Sequence, residues 1–227
     1  MVLTLDSLIV DLGAFSLRGT LDVPRASLVA VVGPSGAGKS TLLSAIAGFV
    51  PVTGGRIRWD DQDITALPPG KRPMAILFQD NNLFPHLTAA QNVALALGKG
   101  TRPTPAVLDA LAKVGLSGFE NRKPAELSGG QQSRVALARV LLQDKPLVLL
   151  DEPFSALGPA MRQEMLSLVQ ERLVANGRSV IFVTHDRQDA EQADQIIIVT
   201  DGEISPPQLT QDVLSAPSDA LTSYWGK

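Results

Sequence analysis

Gly33-Pro34-Ser35-Gly36-Ala37-Gly38-Lys39-Ser40-Thr41 places three glycines just ahead of a lysine and two hydroxyl side chains. Glycines let a loop curl until its backbone N–H groups point inward at phosphate oxygens. A helix that starts directly afterwards adds its N-terminal partial charge. In such a loop Lys39 reaches the β- and γ-phosphates and the Ser40 hydroxyl ligates Mg²⁺. A glycine-rich turn with an accidental lysine would give the same letters, so the flanks decide. Residues 28–32 before the loop are a continuous apolar run, as in a strand buried on both faces. Leu42, Leu43, Ala45, Ile46 and Ala47 follow at helical spacing. The segment therefore reads as a nucleotide-binding loop.

A second element completes that chemistry. Pro146-Leu147-Val148-Leu149-Leu150-Asp151-Glu152 is an apolar run that ends in two acids. In a parallel α/β sheet the C-terminal ends of the strands meet the ligand. Asp151 is then placed to hold Mg²⁺ through water, and Glu152 to polarise an attacking water as general base. A third element is Leu127-Ser128-Gly129-Gly130-Gln131. Ser128 can cap a helix whose first glycines expose their N–H groups, which makes another anion site. A single phosphate-binding protein does not need two.

These residues require a scaffold of alternating strands and helices. Residues 2–10, 56–59, 74–78, 147–150, 179–184 and 196–200 read as further strands, with Gly54-Gly55 as a turn before residues 56–59. Asp201-Gly202 is a hairpin dipeptide. The middle is helical. Thr88-Ala89-Ala90-Gln91 matches a capping box, and Thr104-Pro105 can supply an N-cap and first helical position. Met161, Met165, Leu168 and Arg172 share one side of a later helix that ends at Asn176-Gly177. The alternation implies an α/β fold with a mostly parallel core sheet, an N-terminal antiparallel β region and a helical insertion. One domain is expected over 1–227, with residues 1–79 and 146–227 as the sheet lobe and 80–145 as the helical lobe.

Composition narrows the possible partners. The chain has 227 residues, 44% of them hydrophobic, and a net charge of −3, so no strong field draws it to nucleic acid or anionic lipid. It has no cysteine, which removes disulfides, thiolate metal sites and a cysteine nucleophile. No apolar run reaches the roughly 18 residues of a membrane helix, and residues 1–10 lack the pattern of a signal peptide. Any membrane role would have to come through a partner.

Taken in order, the motifs resemble the nucleotide-binding subunits of ABC transporters. The phosphate loop is Gly33 to Thr41, a glutamine stands at Gln79 after Phe78, and the signature is Leu127 to Gln131. The acids Asp151 and Glu152 follow, and then His185 after Thr184. The resemblance implies ATP and Mg²⁺ as cofactors, with Ser40, Gln79 and Asp151 at the metal and Glu152, His185 and Gln79 in hydrolysis. It also explains the second anion site. Two subunits would pack head to tail, with Ser128, Gly129, Gly130 and Gln131 of one capping the ATP on Gly33, Pro34, Ser35, Gly36, Ala37, Gly38, Lys39, Ser40 and Thr41 of the other. Two departures stand out. Gly158 replaces the usual carboxylate of an S-A-L-D run, which is expected to alter hydrolysis or communication between the two sites. The aromatic that stacks on adenine falls near Leu12, with Phe15 the nearest ring.

The length holds neither fused membrane helices nor a C-terminal regulatory domain, and residues 121–126 do not match the exporter pattern. The resemblance therefore points to an importer subunit on the cytoplasmic face of the inner membrane, a homodimer bound to integral-membrane permease subunits and indirectly to a periplasmic substrate-binding protein. Residues 77–88, with Asn81-Asn82 before Leu83-Phe84-Pro85-His86, are similar to the ATPases of bacterial thiamine importers. Iron(III), polyamine and sulfate importers share part of that run, and a non-transport ABC ATPase or another class of phosphate-loop protein is a more distant alternative. A membrane-subunit helix would dock near Gln79 to Thr88; Leu83-Phe84-Pro85 packing on their own lobe is the competing reading. The tail from Ser205 carries no functional pattern, and Tyr224-Trp225 would pack it down.

Overall fold

The computed structural model describes residues 3–98, 100–217 and 219–225. The chain opens with β1 (Leu3–Asp11), β2 (Ser16–Val23), β3 (Leu28–Val32) and α1 (Lys39–Ala47), then β4 (Gly54–Trp59), β5 (Gln62–Asp63) and β6 (Met74–Leu77). Three helices follow: α2 (Ala89–Ala94), α3 (Pro105–Lys113) and α4 (Gly129–Leu142). Alternation resumes with β7 (Leu147–Asp151), α5 (Pro159–Arg172), β8 (Ser179–Val183), α6 (Arg187–Ala190) and β9 (Gln195–Thr200). The end is β10 (Glu203–Ile204), β11 (Gln208–Leu209), α7 (Thr210–Ser215) and α8 (Asp219–Trp225).

Five strands, in the order β9-β3-β8-β7-β6, pair parallel throughout. On the other side, β1 pairs antiparallel with β2 and β4. Short β10 joins the two regions, antiparallel to β9 and parallel to β2. This is the mixed sheet implied by the alternation of elements. The parallel strands can be uniformly apolar because both of their faces are covered. Leu28, Ala30, Val32, Val148, Leu150, Val180 and Phe182 face one core, which α2 to α5 complete. Val29, Val31, Leu147, Leu149, Ile181 and Val183 face a second, closed by α1 and by β1 and β2.

Two local expectations change. Gly54 and Gly55 lie inside β4 and do not form a turn before it. Gly55 has φ +76°, and a Cβ there would stand 2.1 Å from the Ser7 carbonyl oxygen, so the pair accommodates the irregular register between β1 and β4. The inner face of α5 is Met165, Leu166 and Val169: Met165 of the expected side is fully buried, whereas Met161 and Leu168 are only partly buried and Arg172 is exposed. Val2, expected in the first strand, lies outside the described residues, as do Gly226 and Lys227 of the tail. Tyr224 and Trp225 do pack against the larger core.

Capping is as the sequence implies. Thr88 and Ser128 both close capping boxes, with Gln91 and Gln131 respectively. The C-terminal end of α1, where Gly48 is the left-handed C-cap, is also held by an unexpected residue. Arg72 is buried, and its guanidinium donates to the carbonyls of Ala45 and Ile46 at 2.9 and 2.6 Å and to those of Leu67 and Thr65 at 2.8 Å each. A cation at the C-terminal end of a helix meets its partial negative charge. Arg72→Met should therefore lower stability by about 3 kcal/mol, because several buried carbonyls lose their donor. Denaturant unfolding of the two proteins measures this.

Candidate phosphate-binding and hydrolytic site

The phosphate loop leaves β3 and enters α1. Gly33 can only be glycine: at φ +147° a Cβ would come within 2.0 Å of the Val199 carbonyl oxygen on β9. Gly38 precedes α1 at φ +105°, and a Cβ there would strike the Phe15 ring at 2.6 Å. Phe15 thus lies against the loop and lines the same cavity, whereas Leu12 is half exposed and does not line it. That cavity, about 450 Å³, is walled by Phe15, by Ser35, Gly36 and Gly38 to Thr41 of the loop, and by Gln79 and Glu152.

Lys39 is buried beneath the loop, and its ammonium donates to the carbonyls of Gly33 at 2.7 Å and Pro34 at 2.8 Å. Burial pushes its pKa down, opposed by the negative charges of Glu152 and Asp151. Asp151 ends β7 almost fully buried and accepts a hydrogen bond from Ser40 Oγ at 3.0 Å. Burial raises its pKa, with the Ser40 bond and Lys39 acting against the shift and Glu152 adding to it. Among the described residues no three His, Cys, Asp or Glu side chains converge on a metal position. One hydroxyl beside one carboxylate nevertheless suits Mg²⁺, which keeps several waters and takes its remaining oxygens from phosphate.

Glu152 follows directly, at φ +47°, a left-handed backbone that a side chain adopts only at a cost of about 1–2 kcal/mol. The turn is held by Ser155, whose N–H and hydroxyl both donate to the Glu152 carbonyl, at 3.3 and 3.1 Å. It aims the carboxylate at two residues singled out in the sequence. Gln79 Nε2 donates to Glu152 Oε2 at 3.4 Å, and His185 Nδ1 stands 3.8 Å from the same oxygen.

Behind His185 is a network that the sequence pattern did not disclose. Thr184 Oγ1 donates to buried Asp189 at 2.9 Å and accepts from the Asp186 N–H at 3.0 Å. Arg162 of α5 pairs with Asp186 and stands 3.7 Å from Asp189. Asp189 is raised in pKa by burial. An Asp at the N-cap of a short helix was the available signal. The signature lies elsewhere. Ser128 and Gly129 are exposed at the start of α4, none of residues 127–131 lines the cavity, and Gly130 packs against the Ala156 backbone and the Leu157 side chain. Gly158 is the bare N-cap of α5, with nothing within 4 Å of where a Cβ would stand.

An acid whose pKa is higher folded than unfolded binds protons more tightly when folded. Stability therefore falls as pH rises through that interval, and the loss is complete above it. Asp151→Asn should raise the melting temperature of the ligand-free chain at neutral pH, with the gain shrinking as pH falls toward the carboxylate range. The same variant should lose Mg²⁺-dependent nucleotide affinity. Thermal scans across pH, with and without nucleotide, check both.

Known proteins share this arrangement. A family model described as ABC transporter matches residues 18–155. The thiamine import ATP-binding protein ThiQ of Ruegeria sp. (strain TM1040) is 52% identical, over 99% of this chain and 100% of its own length. The ThiQ of Shigella flexneri is 46% identical over 92% of each chain. Among solved structures, a bacterial Atm1-family ABC exporter with ATP bound superposes with a TM-score of 0.86 at 29% identity, covering 99% of this chain and 41% of that one. The dimeric post-hydrolysis state of the ATP-binding cassette MJ0796 bound to ADP and Pi gives 0.80 at 30% identity, over 92% and 98%. With a matching family model from β2 to just past the acids at the end of β7, and a relative half identical along its whole length, this chain belongs to the ABC transporter family.

Proposed function

We propose that the chain is the ATP-hydrolysing subunit of a thiamine importer. The convergence of Lys39, Ser40, Asp151, Glu152 and Gln79 at one phosphate-loop cavity carries the ATPase reading. The full-length likeness to thiamine import ATP-binding proteins supports the substrate. The loop amides and Lys39 bind the phosphates, and Phe15 offers a ring for the adenine. Ser40, Asp151 and Gln79 are the residues that would hold Mg²⁺, which neutralises phosphate charge when bound. Glu152 takes the proton of the attacking water, while Gln79 and His185, both beside its Oε2, orient the water.

Two copies would work as a head-to-tail pair, each signature closing the other's cavity. The exposed N–H groups at the start of α4, which serve no group in their own chain's cavity, favour this. Among the described residues no helix is long and apolar enough to cross a membrane, so coupling to transport needs integral-membrane permeases. In this reading residues 1–79 and 146–227 form the nucleotide lobe and 80–145 the lobe that meets the permease. The protein sits peripherally on the cytoplasmic face, with a periplasmic binding protein delivering substrate from the other side.

The docking surface would be the loop after Gln79. Phe84 is 47% exposed and borders a groove of about 400 Å³ shared with Ile76, Phe78, Leu83 and Arg139, whereas Leu83 turns partly into the core. The loop is held rigid by fully buried Asn92, which accepts from the Phe84 N–H at 2.8 Å and donates to the carbonyls of Phe84, Leu87 and Thr88.

Glu152→Gln should bind MgATP with near-unchanged affinity, accumulate an ATP-bound dimer and lose about 10² to 10³-fold in turnover. Wild-type turnover in that variant would remove Glu152 from the role of base. The complex reconstituted in vesicles should move labelled thiamine, and iron(III) or polyamines should not compete. Phe84→Ala should reduce co-purification with the permease far more than MgATP affinity; equal loss of both would argue against docking there.

A further inference from the structure

Arg139 is in the last turn of α4, the helix that starts at the signature. Its Nη1 donates to the Asn82 carbonyl at 2.9 Å and its Nη2 to the Asn81 carbonyl at 3.0 Å. Both asparagines hold left-handed backbones, φ +61° and +44°, and the Asn81 N–H closes a turn onto Phe78 O at 2.9 Å. Between the two ends of that turn lies Gln79, whose amide reaches Glu152. Arg139 has no carboxylate partner among the described residues. Its partly buried charge is balanced by these two carbonyls, a planar fork meeting two consecutive acceptors.

We propose that Arg139 is a positioning residue, which fastens the loop presenting Gln79 to the helix that carries the signature. A straight α-helix transmits a displacement of its N-terminus along its axis, and the fork passes it on to the turn around Gln79. A change at the signature therefore reaches the Gln79–Glu152 contact within one chain. Lysine cannot replace the arginine, because a single ammonium does not span two acceptors in a fixed plane. This inference rests on the reading of Glu152 and Gln79 as hydrolytic residues.

The test uses the full chain with MgATP and follows kcat, KM, nucleotide affinity and melting temperature for Arg139→Met and Arg139→Lys, each alone and combined with Gln79→Ala. The expected result is a kcat about tenfold lower in both arginine variants, with nucleotide affinity within about threefold of wild type. In the Gln79→Ala background the arginine substitutions should add little, since their effect passes through Gln79. The proposal is overturned if the losses multiply in the double variants, if Lys restores wild-type kcat, or if affinity falls in step with kcat. Failure of the underlying reading looks different: Glu152→Gln and Gln79→Ala would then themselves retain wild-type turnover.

Discussion

Parallel pairing of β3, β8, β7 and β6 is the constraint on which the site depends. Val31 lies opposite Val183, Val183 opposite Asp151, and Leu150 opposite Leu77, so the four strands end nearly level. Gly33, His185, Glu152 and Gln79 each come one or two residues past that line. Side-chain direction alternates along a strand, so a slip of one residue would turn Asp151 to the opposite face of the sheet and carry Ser40 and Gln79 out of reach. The register is secured because both faces of these strands are buried, in two separate cores, and a slip would exchange the residues that fill them.

The site is built from groups that the fold would be more stable without. Lys39 and Asp151 are both buried, and burial shifts each toward its neutral form. Glu152 occupies a backbone region that suits glycine better. Such costs concentrate where electrostatic preorganisation is useful, and the surrounding apolar packing sustains them. Two arginines differ, Arg72 buried and Arg139 partly buried. Arg72 and Arg139 meet chain carbonyls, so each cation finishes a backbone segment that would otherwise hold unpaired acceptors.

Legibility in the sequence follows the range of the interactions. The phosphate loop, the two acids at the end of β7 and both capping boxes are local, and each is visible as residues at fixed spacing. The mixed α/β sheet was visible because alternation of apolar runs is also local. What escaped was long-range or rotational. Arg139 and Asn81 are 58 residues apart, and Arg72 and Ile46 are 26 apart. No periodicity announces a guanidinium that will meet a carbonyl on another element. The Gly54-Gly55 pair was misplaced because a glycine pair fits a turn as well as a strand irregularity, and only the partner strand distinguishes them. The inner face of α5 is only partly legible: Met165 lies on it, but methionine and leucine also occur on half-buried flanks, as Met161 and Leu168 do.

The clamps on residues 80–88 touch the chain almost entirely through its backbone. Arg139 holds the carbonyls of Asn81 and Asn82, and Asn92 holds main-chain groups of Phe84, Leu87 and Thr88. The shape of the loop is therefore specified from outside it. Positions 81 and 82 are restricted to residues that tolerate a left-handed backbone, but exposed Phe84 is under no such restriction. Its side chain can be exchanged for another size or polarity while the turn that presents Gln79 keeps its form. On the proposed roles of Phe84 and Gln79, recognition can diverge on one side of this loop while hydrolysis is preserved on the other.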